Sequence, residues 1–434
     1  GEPIDTEVAA LMLVLKIQSL AKGKSGIALE TVDRMIWHLE HQAIPVVPSQ
    51  GSVGASGDLA PLSHLFLPLV GLGSVEYQGK VIETSELFEK TGLKPLGLGP
   101  KEGLALINGT QFIAAHAVKV VEKLQRCLAQ GDLIAAMMID ALQGSIKPFQ
   151  SALHELRPFQ GNIHVAARIR KLLEGSEIME GHADCNRVQD PYSMRCVPQV
   201  HGASRNAWLH LKELLAVELN SVTDNPVIID EETTISGGNF HGQPLALALD
   251  YACLAAAEIG NISDRRIYLS LEGKYPGVPK LLLKETGTHS GYMLLQYTSA
   301  ALVSENKTSC FPASADSIPT SLGQEDHVSM GSISGRKALR VVQNLERILA
   351  VELLVAAQAL DFRRPLKSTP TIEALHQAVR DKVDFAEKDR VFSHDIHQVL
   401  PFIQGGRLIE VAERAAAQSG QDFQTPLDPL FEAF

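Results

Sequence analysis

Cysteine is scarce in this 434-residue chain, and its spacing offers no framework. Cys127, Cys185, Cys196, Cys253 and Cys310 are odd in number, scattered, and form no Cys-x-x-Cys. A disulfide scaffold is therefore excluded, and thiols in a reducing cytoplasm are expected. Positive charge is also in short supply. Lys and Arg number 39 against 50 Asp and Glu, a net charge of −11, which argues against a broad nucleic-acid footprint. The opening "GEPIDTEVAALMLVL" is acidic and lacks the basic leader of a signal peptide. It begins at Gly1 without methionine, and an N-terminal truncation is expected. The longest apolar run, "PLALALDYACLAAAEIG" (244–260), carries Asp250 and Glu258. It is too short to span a bilayer, so a buried helix is expected. There is no low-complexity tract, Pro-rich linker or fixed-period repeat.

Helical patterning dominates what is present. Residues 6–23 and 203–221 place apolar side chains at three- and four-residue steps. In 336–360, Leu339, Val342, Leu345, Leu349 and Leu353 form one stripe, with Arg340, Glu346 and Arg347 off it. Small hairpins are predicted at 73–84 and 225–236. The Pro- and Gly-rich "KPLGLGPKEG" (94–103) marks a soft boundary. The expected organisation is mainly α: a smaller mixed unit over 1–100, then an elongated bundle of long helices over 101–434. Long polar loops interrupt the helical part, at 179–202, 234–244 and 306–331. Loops of that length in a helical protein tend to be functional.

The stretch with most chemical content is "PSQGSVGASGDLAPLSH" (48–64). A phosphate-binding P-loop needs Gly-Lys-Ser/Thr, whereas Gly57 is followed by Asp58. A dinucleotide fingerprint needs GxGxxG after a strand. The spacing here is GxxGxxG, and the preceding "HQAIPVVPSQ", with two prolines, is a poor strand. A nucleophile elbow needs GxSxG, and here the second glycine comes one residue early. Two readings remain. One is a plain glycine loop capped by Asp58, with Pro61 in the first turn of the following helix. The other is backbone chemistry. The Gly57 amide nitrogen attacks the Ala55 carbonyl, and loss of water and of the Ser56 hydroxyl leaves an electrophilic alkene. Small neighbours permit the tight backbone this requires, and standard side chains offer no comparable electrophile.

"GSVGASGDLAPLSH" closely resembles the signature of the ammonia-lyases that use a methylidene-imidazolone (MIO) group. Similar blocks follow in the family's order: "EGLALINGTQ" (102–111), "QDPYSMRCVPQVHG" (189–202), "DNPVI" (224–228), "GGNFHG" (237–242), "SENKT" (304–308) and "PTSLGQEDHVSMG" (319–331). The resemblance covers nearly the whole chain. It implies an MIO formed from Ala55, Ser56 and Gly57, with no external cofactor and no metal. It places Asn108 beside the ring and the substrate amine, although Asn-Gly also reads as a turn. Gln189 and Tyr192 resemble the family's polar pair near the ring, and Tyr192 is equally an interface tyrosine. Arg195 resembles the arginine that forks onto the substrate carboxylate, where a surface ion pair is the plain alternative. Phe240 resembles the wall of the substrate ring, or is core packing.

Glu325, in "GQEDHVSM", narrows the substrate. The family's phenylalanine and tyrosine branches carry an amide there. A carboxylate suits an imidazole N–H and is poorly satisfied against a phenyl ring. The same group could act as a base. The resemblance thus implies a cytoplasmic, nearly all-α homotetramer with active sites shared between subunits. It would eliminate ammonia from L-histidine to give trans-urocanate. The alternatives are a tyrosine or phenylalanine ammonia-lyase, an aminomutase, or a catalytically incomplete helical scaffold. The last arises because the family's tyrosine base and a histidine lie ahead of Gly1. His182, Asp184 and Cys185 lack the second pair a zinc site wants, and His394 and His397 read as solvated or interface residues.

Overall fold

The computed structural model describes residues 1–181 and 188–433, so His182, Asp184 and Cys185 lie outside the described residues. The fold is mainly α. The strands of the described residues are two to four residues long. The helix expected at 6–23 spans Thr6–Leu20, and Asp5 caps it by accepting the Glu7 N–H at 2.9 Å. The helices expected at 203–221 and 336–360 span Val197–Glu218 and Gly331–Asp361. The apolar run at 244–260 belongs to a 29-residue helix, Gln243–Leu271, which continues through "NISDRRIYLSL". By length it could cross a membrane, a correction to the reading of the run as too short, but 72% of its most apolar window is buried.

Contacts divide the chain into two compact units, neither of them a continuous segment. One comprises Gly1–Val121, His210–Tyr251 and Phe311–Leu339; the other comprises Glu122–Leu209, Ala252–Cys310 and the chain from Arg340 onward. The composition boundary at residue 100 is not where contacts divide the chain. Two later segments fold with the glycine loop.

The first unit packs Met12, Leu13, Met35, Leu62, Leu65, Leu106 and Phe112 into one core. Beside it, Ser74–Tyr77 and Lys80–Glu83 form the predicted hairpin around Gln78-Gly79, both at positive φ. Ile44–Pro45 adds a third, antiparallel strand. The prolines that argued against a strand here are tolerated because this strand is short and at the edge of the sheet.

In the second unit, the part of the Gly331–Asp361 helix from Arg340 onward departs from a one-sided stripe. From Ile348 to Leu360 every residue is buried. Arg340 and Arg347 are exposed as expected, but Glu346 is buried and pairs with Lys123 at 2.9 Å. Glu352, fully buried, accepts from Ser263 and takes both Nε and Nη2 of the buried Arg266, the latter at 3.0 Å. Removing one partner of such a pair strands the other charge. Arg266→Met should lower stability by about 3–5 kcal/mol in urea unfolding, and a change within about 0.5 kcal/mol, as at an uninvolved surface site, would contradict this account.

Candidate active site

The glycine loop is held by backbone on both sides. Gly54, Ser56 and Gly57 have φ of 89°, 46° and 84°, the left-handed region that a serine rarely adopts. Gly109 N–H donates to the Ser56 carbonyl at 3.1 Å, and the Gly109 carbonyl accepts the Asp58 N–H at 2.8 Å. Residues 57 and 109 thus pair like parallel strands. From another side, Met330 N–H donates to the Val53 carbonyl at 3.0 Å and Ser332 Oγ to the Ser52 carbonyl at 2.8 Å. A Cβ on Gly57 would collide with the Gly109 carbonyl and stand 3.0 Å from the Phe240 carbonyl. A Cβ on Gly54 would collide with Ser329. The loop is compressed to a spacing that glycine alone allows, which fits the tight backbone a self-cyclising Ala-Ser-Gly requires.

Asp58 was expected to cap the helix it opens. The Leu59–Phe66 helix receives no side-chain cap from it. Its Oδ2 instead accepts Phe112 and Ile113 N–H, both at 3.0 Å, at the start of the Gln111–Ala141 helix. The orphan donors of that long helix are the stronger claim on a buried acid. Burial raises the Asp58 carboxyl to about 7, although the two N–H groups pull it down.

On the other flank, Ser56 Oγ donates to Glu325 Oε1 at 3.1 Å. Ser321 Oγ at 2.7 Å and Thr320 Oγ1 at 3.0 Å donate to Glu325 Oε2. The Ser321 hydroxyl, followed by those of Thr320 and Ser56, holds the Glu325 carboxyl below its usual range against the opposing effect of partial burial. Asn108 is buried, with Nδ2 donating to Leu104 O at 3.1 Å and Asn225 O at 3.5 Å. The first unit therefore gathers Ala55, Ser56, Gly57, Asn108, Phe240 and Glu325. Next to Phe240 and Glu325, the rings of His241 and His327 stack at 5.5 Å between centroids.

Gln189, Tyr192 and Arg195 belong to the second unit. Gln189 and Arg195 line a cavity there of about 530 Å³. Tyr192 is 70% exposed, and the Arg195 guanidinium sits 4.6 Å from its ring centroid. His394 and His397 are exposed on the Phe392–Gln404 helix.

Sequence reasoning missed the Gly109 clamp, the capping of the Gln111–Ala141 helix by Asp58, and Lys16. Lys16 is 1% exposed and donates to the Asn108 carbonyl. It had a signal: Lys16 falls on the same buried face as Met12, Leu13 and Leu20, and a lysine in an apolar stripe marks a partner inside.

A helical fold with a self-clamped Ala-Ser-Gly loop defines a narrow class. The aromatic amino acid lyase family model matches residues 1–381, and the chain belongs to that family. It is 46% identical over 420 residues to the histidine ammonia-lyase of Natranaerobius thermophilus, covering 96% of this chain and 83% of that one. Among solved structures, histidine ammonia-lyase from Trypanosoma cruzi superposes with a TM-score of 0.90 at 40% identity, covering 99% of this chain and 80% of that one. Tyrosine aminomutase from Streptomyces globisporus gives 0.88 at 35%, covering 96% and 82%.

Two outcomes test this geometry. The folded chain binds the Asp58 proton up to about 7, whereas an unfolded carboxyl releases it near 4. Over that window the folded state holds more protons, so this group's contribution makes stability fall as pH rises and level off above it. Asp58→Asn should remove a slope of at most ~1.4 kcal/mol per pH unit there, measured by urea unfolding; equal slopes in both proteins would contradict it. Gly57→Ala forces a Cβ onto the Gly109 carbonyl and should cost about 1–3 kcal/mol or more in the same assay.

Proposed function

We propose that this lyase eliminates ammonia from L-histidine to give trans-urocanate, using an MIO ring made from Ala55, Ser56 and Gly57. The observation that carries the reading is the loop itself: a backbone compressed against Gly109, with the Ser56 hydroxyl on an ionised Glu325. Closed by a bond from the Gly57 nitrogen to the Ala55 carbonyl carbon, with loss of two waters, the loop supplies an electrophilic methylidene carbon.

The chain's own residues then do the binding and orienting. Glu325, kept as a carboxylate by its hydroxyl neighbours, accepts the substrate imidazole N–H. Against a phenyl ring its Oε1, no longer bonded by the Ser56 hydroxyl once the MIO ring forms, would stand unpaired. Asn108, tethered at its backbone and amide, orients the substrate amine. Phe240 walls the substrate ring. From a neighbouring subunit, Arg195 forks onto the substrate carboxylate, and Gln189 and Tyr192 supply polar contacts to the ring. The exposure of Tyr192 supports a homotetramer in which such residues complete a neighbouring subunit's site. The histidine ammonia-lyases among its relatives support the substrate, and a cytoplasmic location fits the cysteine usage.

Incubation with L-histidine and, separately, L-tyrosine tests the reading through the ultraviolet band of the conjugated product. The band should grow with histidine, and Ser56→Ala should abolish it while leaving the circular dichroism spectrum unchanged. A band with tyrosine and none with histidine overturns the substrate. An active Ser56→Ala variant overturns the ring.

A further inference from the structure

Lys16 is a buried cation in the core of the first unit. It lies inside the Thr6–Leu20 helix at 1% exposure. Its ammonium's one hydrogen bond among the described residues goes to the Asn108 carbonyl. Burial lowers its ammonium to about 7; Asp224 and Asp58 raise it, and Lys101 lowers it. Lys101 itself pairs with Asp224 at 2.8 Å. A methionine would fill this space without the cost of burying a charge, so packing does not explain a lysine here.

What it grips does. Asn108 ends the Glu102–Ile107 helix, its N–H donating to Leu104 O at 3.0 Å. The next residue, Gly109, holds the Ser56 carbonyl and the Asp58 N–H. Gly109 has φ of 129° and no side chain to anchor it, so the neighbouring Asn108 carbonyl is where this strap can be fastened.

We infer that Lys16 is a positioning residue for the ring-forming loop: its ammonium fastens the Asn108 carbonyl, and through Gly109 that grip holds the backbone on both sides of Gly57. The inference rests on the reading of Ala55–Gly57 as an MIO. Lys16 serves ring closure rather than substrate binding, because its contact is with the backbone of the residue next to the loop's partner, Gly109.

The test compares wild type, Lys16→Met and Lys16→Arg in the full chain. Mass spectrometry of the loop peptide reads ring closure, and kcat and KM on L-histidine read function. In Lys16→Met much of the loop peptide should keep both waters, kcat should fall about tenfold or more, and KM should stay within about threefold, since displaced positioning groups cost rate. Lys16→Arg, which keeps the charge and the donor, should recover most of the closure and kcat. If Lys16→Met does not fold, Lys16→Gln is held to the same criteria. A variant that closes its loop fully, with kcat and KM as in wild type, overturns the role of Lys16 and leaves the ring intact. A variant that merely melts lower with a fully closed loop also overturns it. A wild-type loop that retains both waters overturns the ring reading itself.

Discussion

Two backbone hydrogen bonds with Gly109, one on each side of Gly57, are the constraint on which the rest of this site depends. They require two glycines face to face, since a Cβ on Gly57 has nowhere to go. Beside them, Asp58 turns its side chain away from its own helix. It does so by capping Gln111–Ala141 through Phe112 and Ile113. One residue thus joins the loop to the longest local helix, and the loop inherits that helix's rigidity.

The charges around the loop are arranged in two different ways. On the buried flank, desolvation draws Lys16 and Asp58 toward neutrality, to about 7 each. On the open flank, three hydroxyls keep Glu325 ionised. The buried groups fasten backbone, and the open carboxylate faces the Ser56 hydroxyl. Position and chemistry are divided between two sets of residues, so a change in one set need not disturb the other.

Legibility in the sequence followed the physics of each element. The Gly331–Asp361 helix was readable where one face meets solvent, at Arg340 and Arg347, and misleading where it does not, at buried Glu346. Gln111–Ala141, buried on nearly every face, shows no stripe to read. The Ser74–Glu83 hairpin was visible in its turn, whereas Ile44–Pro45 was hidden by prolines that an edge strand tolerates. At the site, the Ala-Ser-Gly motif and the separate blocks were legible one by one. Their meeting was not. Ser56 and Glu325 are 269 residues apart, and Asp58 and Phe112 are 54 apart. No local pattern encodes such pairings, and the partner of Asp58 was accordingly misassigned to the nearest helix.

On the proposed function, this clamp lets the backbone close on itself at Ala55–Gly57. Electron density for residues 54–58 at high resolution tests it most directly. The expected density is a five-membered ring joining the Gly57 nitrogen to the Ala55 carbonyl carbon, with the Ser56 side chain reduced to a planar methylene. An open peptide, with the Ser56 hydroxyl still hydrogen-bonded to Glu325, would contradict it.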